Sequence, residues 1–197
     1  MKLDQNYLAL DLELNLDASG KPKKIIQVGI AIGNPGNVKD IKTYSWYINP
    51  QEPIVPYITE LTGITDDDVQ NNSTPIQEVA VEIGQLIDTN NVFVNPIQWG
   101  MGDADELKIE FRDSGVEFPY FGNRVIDVKT IYTFLQAVRG NSVKGGLRSC
   151  MGRYKLSFRG EPHRADVDAF NTLVFYFTLL MRQSKLEELV QSAKNIF

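Results

Sequence analysis

Apolar residues recur at every second position, or run unbroken, through three stretches of the first quarter of the chain: Tyr7 to Leu14, Ile25 to Ile32 and Ile41 to Ile48. That period places successive side chains on opposite faces and predicts strands. The intervening stretches, Asn15 to Lys24 and Gly33 to Asn37, supply Gly, Pro, Asn and Ser and predict turns. Three consecutive strands with short connections predict an antiparallel meander.

The period then lengthens. Ile76, Val79, Ala80, Ile83, Leu86 and Ile87 fall at helical spacing, with Thr74 ahead of Pro75 as the start signal. Val92 to Val94 predicts a fourth strand and Val125 to Val128 a fifth. Helices are expected at Asp103 to Arg112, Lys129 to Val138, Ala165 to Met181, and again at the C-terminal end, about 185–194. Strands followed by strand-helix alternation predict an α/β fold with a mixed five-stranded sheet, the meander plus two parallel strands, flanked by helices. At 197 residues and 43% hydrophobic, the chain suits one domain, residues 1–197.

Composition narrows the class. The single cysteine, Cys150, cannot form an internal bridge, and the first residues lack the apolar core of a secretory signal, so a soluble, cytoplasmic protein is expected. The most apolar stretch, Leu173 to Met181, is about half the length of a membrane span. A net charge of −5 argues against a protein that coats nucleic acid non-specifically, and it draws attention to where the carboxylates stand.

Three segments carry candidate chemistry. Asp11 and Glu13 lie two apart in the first strand and leave one face of it, while Leu10, Leu12 and Leu14 leave the other. Taken alone, the pair reads as the solvated face of an edge strand. In Trp99-Gly100-Met101-Gly102-Asp103-Ala104-Asp105, glycines break the chain before a helix; Asp103 shares a helix face with Leu107, whereas Asp105 lies about 200° round from Asp103 and faces solvent. Helix capping would also explain Asp103. In Pro162-His163-Arg164-Ala165-Asp166-Val167-Asp168, one continuous helix would set His163 about 140° from Asp168, so the two can share a site only if His163 lies on the preceding loop. Asp166 is explained by the helix's first turn. Trp46 and Trp99 read as core or site-wall aromatics, and Gly145-Gly146 lacks the spacing and Lys-Ser/Thr ending of a phosphate loop.

In this order the three segments resemble the DEDDh branch of the DnaQ-like 3′-to-5′ exonucleases, which have an RNase H-like fold. Asp11-x-Glu13 is similar to the first motif, Trp99-Gly100-x-x-Asp103-x-x-x-Leu107 to the second, and His163 with Asp168 to the third. Leu61 to Thr65 and Val125 to Val128 resemble connecting segments of the same family. The Trp-Gly-x-x-Asp form is most similar to the histone-mRNA 3′-end exonuclease and KapD-like subgroup. Leu14, where many relatives have Thr, and Asn95-Pro96 ahead of Trp99 depart from the pattern.

The resemblance implies that Asp11, Glu13, Asp103 and Asp168 hold two divalent ions, with His163 as the proton acceptor. Hard oxygen donors suit Mg²⁺ or Mn²⁺, and no Cys/His cluster suggests zinc. Leu12, Leu14, Trp99, Arg159 and Arg164 are the candidate substrate contacts, and single-stranded RNA or DNA 3′ ends the candidate partner. Lys144, Arg148, Arg153, Lys155, Arg159 and Arg164 form a basic run that reads either as a phosphate path or as solvated surface. The rival reading is a catalytically silent domain that binds nucleic acid or another partner on the same fold.

Overall fold

The computed structural model describes residues 4–16, 23–116 and 124–194, with side chains described up to residue 183. Five strands form one sheet in the order β3-β2-β1-β4-β5: β1 Tyr7–Asn15, β2 Lys24–Gly33, β3 Lys42–Tyr47, β4 Ile97–Gln98 and β5 Ile126–Asp127. The first three are antiparallel neighbours, and β1-β4 and β4-β5 are parallel. The meander plus two parallel strands is therefore present. Residues 17–22 of the first expected turn lie outside the described residues.

Helices cover both faces of the sheet. In chain order they are α1 Pro56–Thr62, α2 Asp66–Asn71, α3 Ile76–Thr89, α4 Asp103–Asp113, α5 Val128–Val138, α6 Leu147–Arg153 and α7 Ala165–Lys194. Alternation along β1 divides the core. Leu8, Leu10 and Leu12 bury against α3 and α4 through Val79, Ile83, Leu107 and Phe111. Tyr7 and Ala9 face the opposite side, where Tyr132, Met151, Leu173 and Phe175 bring in α5, α6 and α7. The odd-numbered side of β1 is thus the α7 side, and the same alternation carries it through Asp11 and Glu13. No helix among the described residues is long and apolar enough to cross a membrane.

Three expectations need correction. The fourth strand is not Val92 to Val94: Val92 makes only an isolated parallel bridge to Asn6, and the chain bends at Val94 and Asn95 before β4 forms opposite Ala9. Asn95-Pro96 is therefore the lead-in to the strand and not an interruption of it. Pro96 has no N–H to give, but its carbonyl accepts from Ile126 N at 2.9 Å. At the C-terminus, the two expected helices are one, because Arg182-Gln183-Ser184 contains no glycine or proline to stop propagation. Lastly, Thr74 does not cap α3. Pro75 occupies that position without a side-chain bond, and the Thr74 N–H joins Tyr47 O at 2.9 Å.

Helix α6 was not foreseen. Its Leu147, Cys150 and Met151 follow helical spacing and are buried, but seven residues flanked by Gly145-Gly146 give too short a pattern to stand out.

The contact that sets the architecture lies where α7 begins. Helix α7 crosses β2 so closely that a Cβ built on Gly29 would sit 2.1 Å from the Ala165 carbonyl carbon and 2.2 Å from Asp166 N. Beside it, fully buried Gln27 accepts the Ala165 N–H at 3.0 Å and donates to Ser45 Oγ at 2.8 Å. A strand side chain thereby satisfies one of the donors that every helix leaves open at its first turn. Ala9, Ala31, Ala165 and Ala169 keep the surrounding contact shallow. Gly29→Ala should therefore destabilise the protein by at least about 1–3 kcal/mol, as overpacking of a filled interior does; thermal unfolding will show it as a lowered Tm, and an unchanged Tm would mean that α7 does not need this approach.

Candidate active site

Register carries the first two acids to the α7 contact. Asp11 pairs with Gly29 and Glu13 with Gln27, so both carboxylates leave the sheet where the first turn of α7 arrives. Glu13 is buried and Asp11 partly so. Asp168 enters from α7 itself, one turn past Ala165.

Asp103 is delivered by a braced turn. After β4 the chain passes through Gly100 (φ 87°) and Gly102 (φ 121°), backbone conformations that a residue with a Cβ rarely adopts. Two side chains fix this turn. Gln98, nearly fully buried, accepts from Ala104 N at 3.0 Å and donates to Gly100 O at 2.7 Å. Asp127 accepts from Gly100 N and Lys129 N, each at 2.9 Å. Asp103 becomes the first residue of α4 and is half-buried, whereas Asp105 is exposed.

His163 lies on the loop before α7, as a site shared with Asp168 requires. Its φ of 63° is unusual for a residue with a side chain, and its N–H donates to Asp168 Oδ2 at 2.9 Å. The carboxylate of Asp168 thus anchors the backbone that carries the imidazole. Ligand-capable atoms of Glu13, His163 and Asp168 lie within 4.8 Å of one another.

Asp11, Glu13, His163 and Asp168 line a cleft of about 690 Å³; Asp103 is not on its wall but is close enough for its charge to act on Asp11 and Glu13. Asp11, Glu13, Asp168 and His163 form its acidic floor, Trp99 and Phe158 its aromatic walls, and Arg148 and Ser149 of α6 its rim. Trp99 is held against Phe175 and Tyr132, with ring centroids 5.9 and 6.2 Å away. Leu12 lines the cleft even though its side chain belongs to the core on the other side of the sheet.

The acids are electrostatically unsettled. Burial pushes the Asp11 carboxyl well above the usual carboxylate range, and the charges of Asp103, Asp168 and Glu13 push it further. Glu13 is raised to about 8, by burial first and then by Asp168 and Asp103, with Arg164 opposing. Asp103 is raised to about 7 by burial, with Lys23 opposing, although Lys23 also pairs with Glu106 at 3.6 Å. Asp168 is raised by burial and eased by the His163 N–H. Such a cluster ionises fully only with added positive charge, and a set of carboxylate oxygens suits a hard divalent cation.

Two expected substrate contacts are not brought to this cleft. Leu14, past a register shift between Glu13 and Leu14, packs against the α3/α4 core. Arg159 lies over Phe170 at 4.6 Å and lines a separate small hollow with Thr43 and Asp166. Arg164 stands over Tyr47 at 5.6 Å, close enough to act on Glu13. Asp166 lies in the first turn of α7, as expected, and its Oδ1 is buried without a described partner. The positioning roles of Gln27, Gln98 and Asp127 escaped the sequence reading. Gln27 and Gln98 are polar residues inside strands, which is a signal, but their partners are remote in sequence.

The RNase T exonuclease family model matches residues 8–176. The chain belongs to the RNase T exonuclease family. The matched range includes Asp11, Glu13, Asp103, His163 and Asp168. Among proteins of this kind, the chain is 27% identical over 183 residues to the 3′-5′ exonuclease DinG of Bacillus subtilis, covering 92% of this chain and 18% of DinG. It is 27% identical over 186 residues to the PolC-type DNA polymerase III of Mycoplasmopsis pulmonis, covering 93% of this chain and 12% of the polymerase. The chain thus spans less than a fifth of either relative. Two solved structures share the fold of this exonuclease-family chain. The nuclease domain of 3′hExo, a DEDDh family member bound to rAMP, superposes with a TM-score of 0.74 at 19% identity over 91% of this chain and 92% of that one. Cell-death related nuclease 4 (CRN-4) gives 0.73 at 20% identity over 92% and 64%.

The shift at Glu13 predicts an inverted pH response in the metal-free protein. The unfolded chain releases this proton near 4.5 and the folded chain near 8, so between them the native state binds more protons and loses stability as pH rises. In EDTA, Tm should fall across that window, and Mg²⁺ or Mn²⁺ should raise Tm most at its upper end. Differential scanning calorimetry at several pH values tests this, and a Tm that climbs through the window without metal would contradict an uncompensated acidic cluster.

Proposed function

We propose that this chain, residues 1–197 acting as one exonuclease domain, hydrolyses phosphodiester bonds from the 3′ end of single-stranded RNA or DNA and releases nucleoside 5′-monophosphates. The observation that carries the reading is that Asp11 and Glu13 of β1 and Asp168 from the first turn of α7 meet beside His163 in one aromatic-walled cleft, with Asp103 at the start of α4 near enough for its charge to act on Asp11 and Glu13. Family membership supports it. The named activity of the DinG relative supports the direction of attack.

Asp11, Glu13, Asp103 and Asp168 would hold two divalent ions, Mg²⁺ or Mn²⁺. When bound, such ions activate water and offset the charge that develops on the leaving 3′-oxygen. The chain's own residues supply the rest. His163, exposed on its loop, accepts the proton of the attacking water through its imidazole. Asp168 accepts the His163 N–H and so holds that loop over the acids. Trp99 and Phe158 offer ring faces to the terminal base, a contact that tolerates any base because every base has a π-face. Arg148, on the rim and 6.0 Å from the Phe158 ring centroid, and Arg164, beside Glu13, are placed to meet backbone phosphate.

Incubation with 5′-labelled and 3′-labelled single strands of RNA and DNA, in Mg²⁺, Mn²⁺ and EDTA, tests the reading. Stepwise shortening of 5′-labelled strands and release of labelled mononucleotide from 3′-labelled ones is expected with metal and not with EDTA; no terminal release under any condition would leave a silent binding domain. Asp11→Asn should abolish turnover and blunt the metal-induced rise in Tm while leaving the protein folded. His163→Ala should lower kcat by about 10²–10⁴, the usual contribution of a positioned proton acceptor, and retention of full activity would remove His163 from the reaction.

A further inference from the structure

A second concavity, of about 400 Å³, gathers three arginines with no carboxylate on its wall. Arg139 follows α5, Arg153 ends α6 and Arg182 projects from α7. Their described partners are all neutral. Arg153 donates to Tyr132 Oη at 2.6 Å and to the Lys144 carbonyl. Arg139 donates to Tyr154 Oη at 3.2 Å. Arg182 donates to the Tyr154 carbonyl at 2.9 Å and lies 4.5 Å over its ring. Gln136, nearly fully buried, braces Tyr154 Oη at 2.8 Å, so the centre of this arrangement is rigid. The ion pairs among the described residues, Lys23–Glu106 and Arg112–Asp113, involve none of the three.

Three guanidinium groups held close by phenols and carbonyls repel one another, and neutral acceptors leave most of their charge unmatched. In a chain of net charge −5, that concentration needs a reason. Each guanidinium is a planar fork of donors whose geometry matches the oxygens of phosphate, and all three are solvent-exposed.

Placement supplies the rest. Helix α6 joins the two concavities: Leu147, Arg148 and Ser149 at its start line the acidic cleft, and Arg153 at its end lines the arginine hollow. The helix rise between Leu147 and Arg153 is roughly 9 Å. Exposed residues 141–146, including Lys144, lead into the start of α6, and their backbone is tied to Arg153. A strand leaving the cleft along α6 reaches the arginines within a few nucleotides.

We propose that Arg139, Arg153 and Arg182 form a phosphate-binding subsite that grips the backbone of a single-stranded nucleic acid several nucleotides upstream of the 3′ end held in the acidic cleft. This rests on the exonuclease reading for what occupies the cleft. It makes strand length, and not base identity, the property the subsite senses, because phosphate contacts carry no sequence information.

The test uses Arg139→Ala/Arg182→Ala, leaving Arg153 in place because it also ties Tyr132 to residues 141–146. Two readouts are needed: binding of a labelled single strand long enough to span both concavities, in EDTA across a salt series, and cleavage of that strand against cleavage of a dinucleotide in Mg²⁺ or Mn²⁺. The expected result is about tenfold weaker binding, with the slope of log affinity against log salt reduced by about 1.4, two contacts at roughly 0.7 each. KM for the long strand should rise while dinucleotide turnover and Tm stay unchanged. Unaltered affinity and slope would overturn the proposal, and so would an equal loss on the dinucleotide, which would show a merely structural role. If the unmodified protein cleaves nothing, the exonuclease reading fails on its own, and the binding arm still decides whether the arginines hold phosphate.

Discussion

The backbone of α7 rests against Gly29 of β2, and the functional arrangement depends on that approach. Any side chain at position 29 would hold the helix off the sheet, and the acids of β1 would then face a gap where Asp168 now stands. Gln27 turns proximity into registration by accepting the first N–H of the helix from within the sheet. The buried glutamine has no water to fall back on, so the bond is costly to break. Sheet register on one side and helix phase on the other then bring Asp11, Glu13 and Asp168 to one point.

Rigidity elsewhere serves the same end. The turn that delivers Asp103 is braced from the strand before it by Gln98 and from the neighbouring parallel strand by Asp127. Asp168 holds the backbone of His163 in a left-handed conformation. Gln98 and Asp127 stand outside the cleft yet fix a residue of the acidic cluster, while Asp168 both braces His163 and lines the cleft itself. The cost of the design is electrostatic. Carboxylates brought this close, under partial burial, retain protons that they would shed in water, and the site is stable in its ionised form only with cationic charge beside it.

Positive charge on this molecule is distributed with corresponding economy. Arg164 and Lys23 act on the acids directly, Arg148 stands on the rim, and Arg139, Arg153 and Arg182 collect at the far end of α6. Arg159, which sequence proximity to His163 made attractive, is turned onto Phe170 instead. Nearness in sequence identified the basic region but not which way each side chain leaves it.

Strand alternation by itself put Asp11 and Glu13 on one face, helical phase separated Asp103 from Asp105, and the five-residue spacing forced His163 off the helix that carries Asp168. These are local geometries, fixed by backbone period, and they needed no partner to be read. The displaced β4 and the short α6 were not legible, because pairing with Ala9 and packing on Tyr132 outweigh local apolar patterns there, whereas the continuity of α7 is written in the lack of any glycine or proline at 182–184. The braces Gln27, Gln98 and Asp127 were equally hidden, as was the arginine hollow. The sequence determined which residues could do the chemistry; tertiary structure decided which of them meet, because hydrogen bonds such as that between Gln27 and Ala165 join residues that only folding brings together.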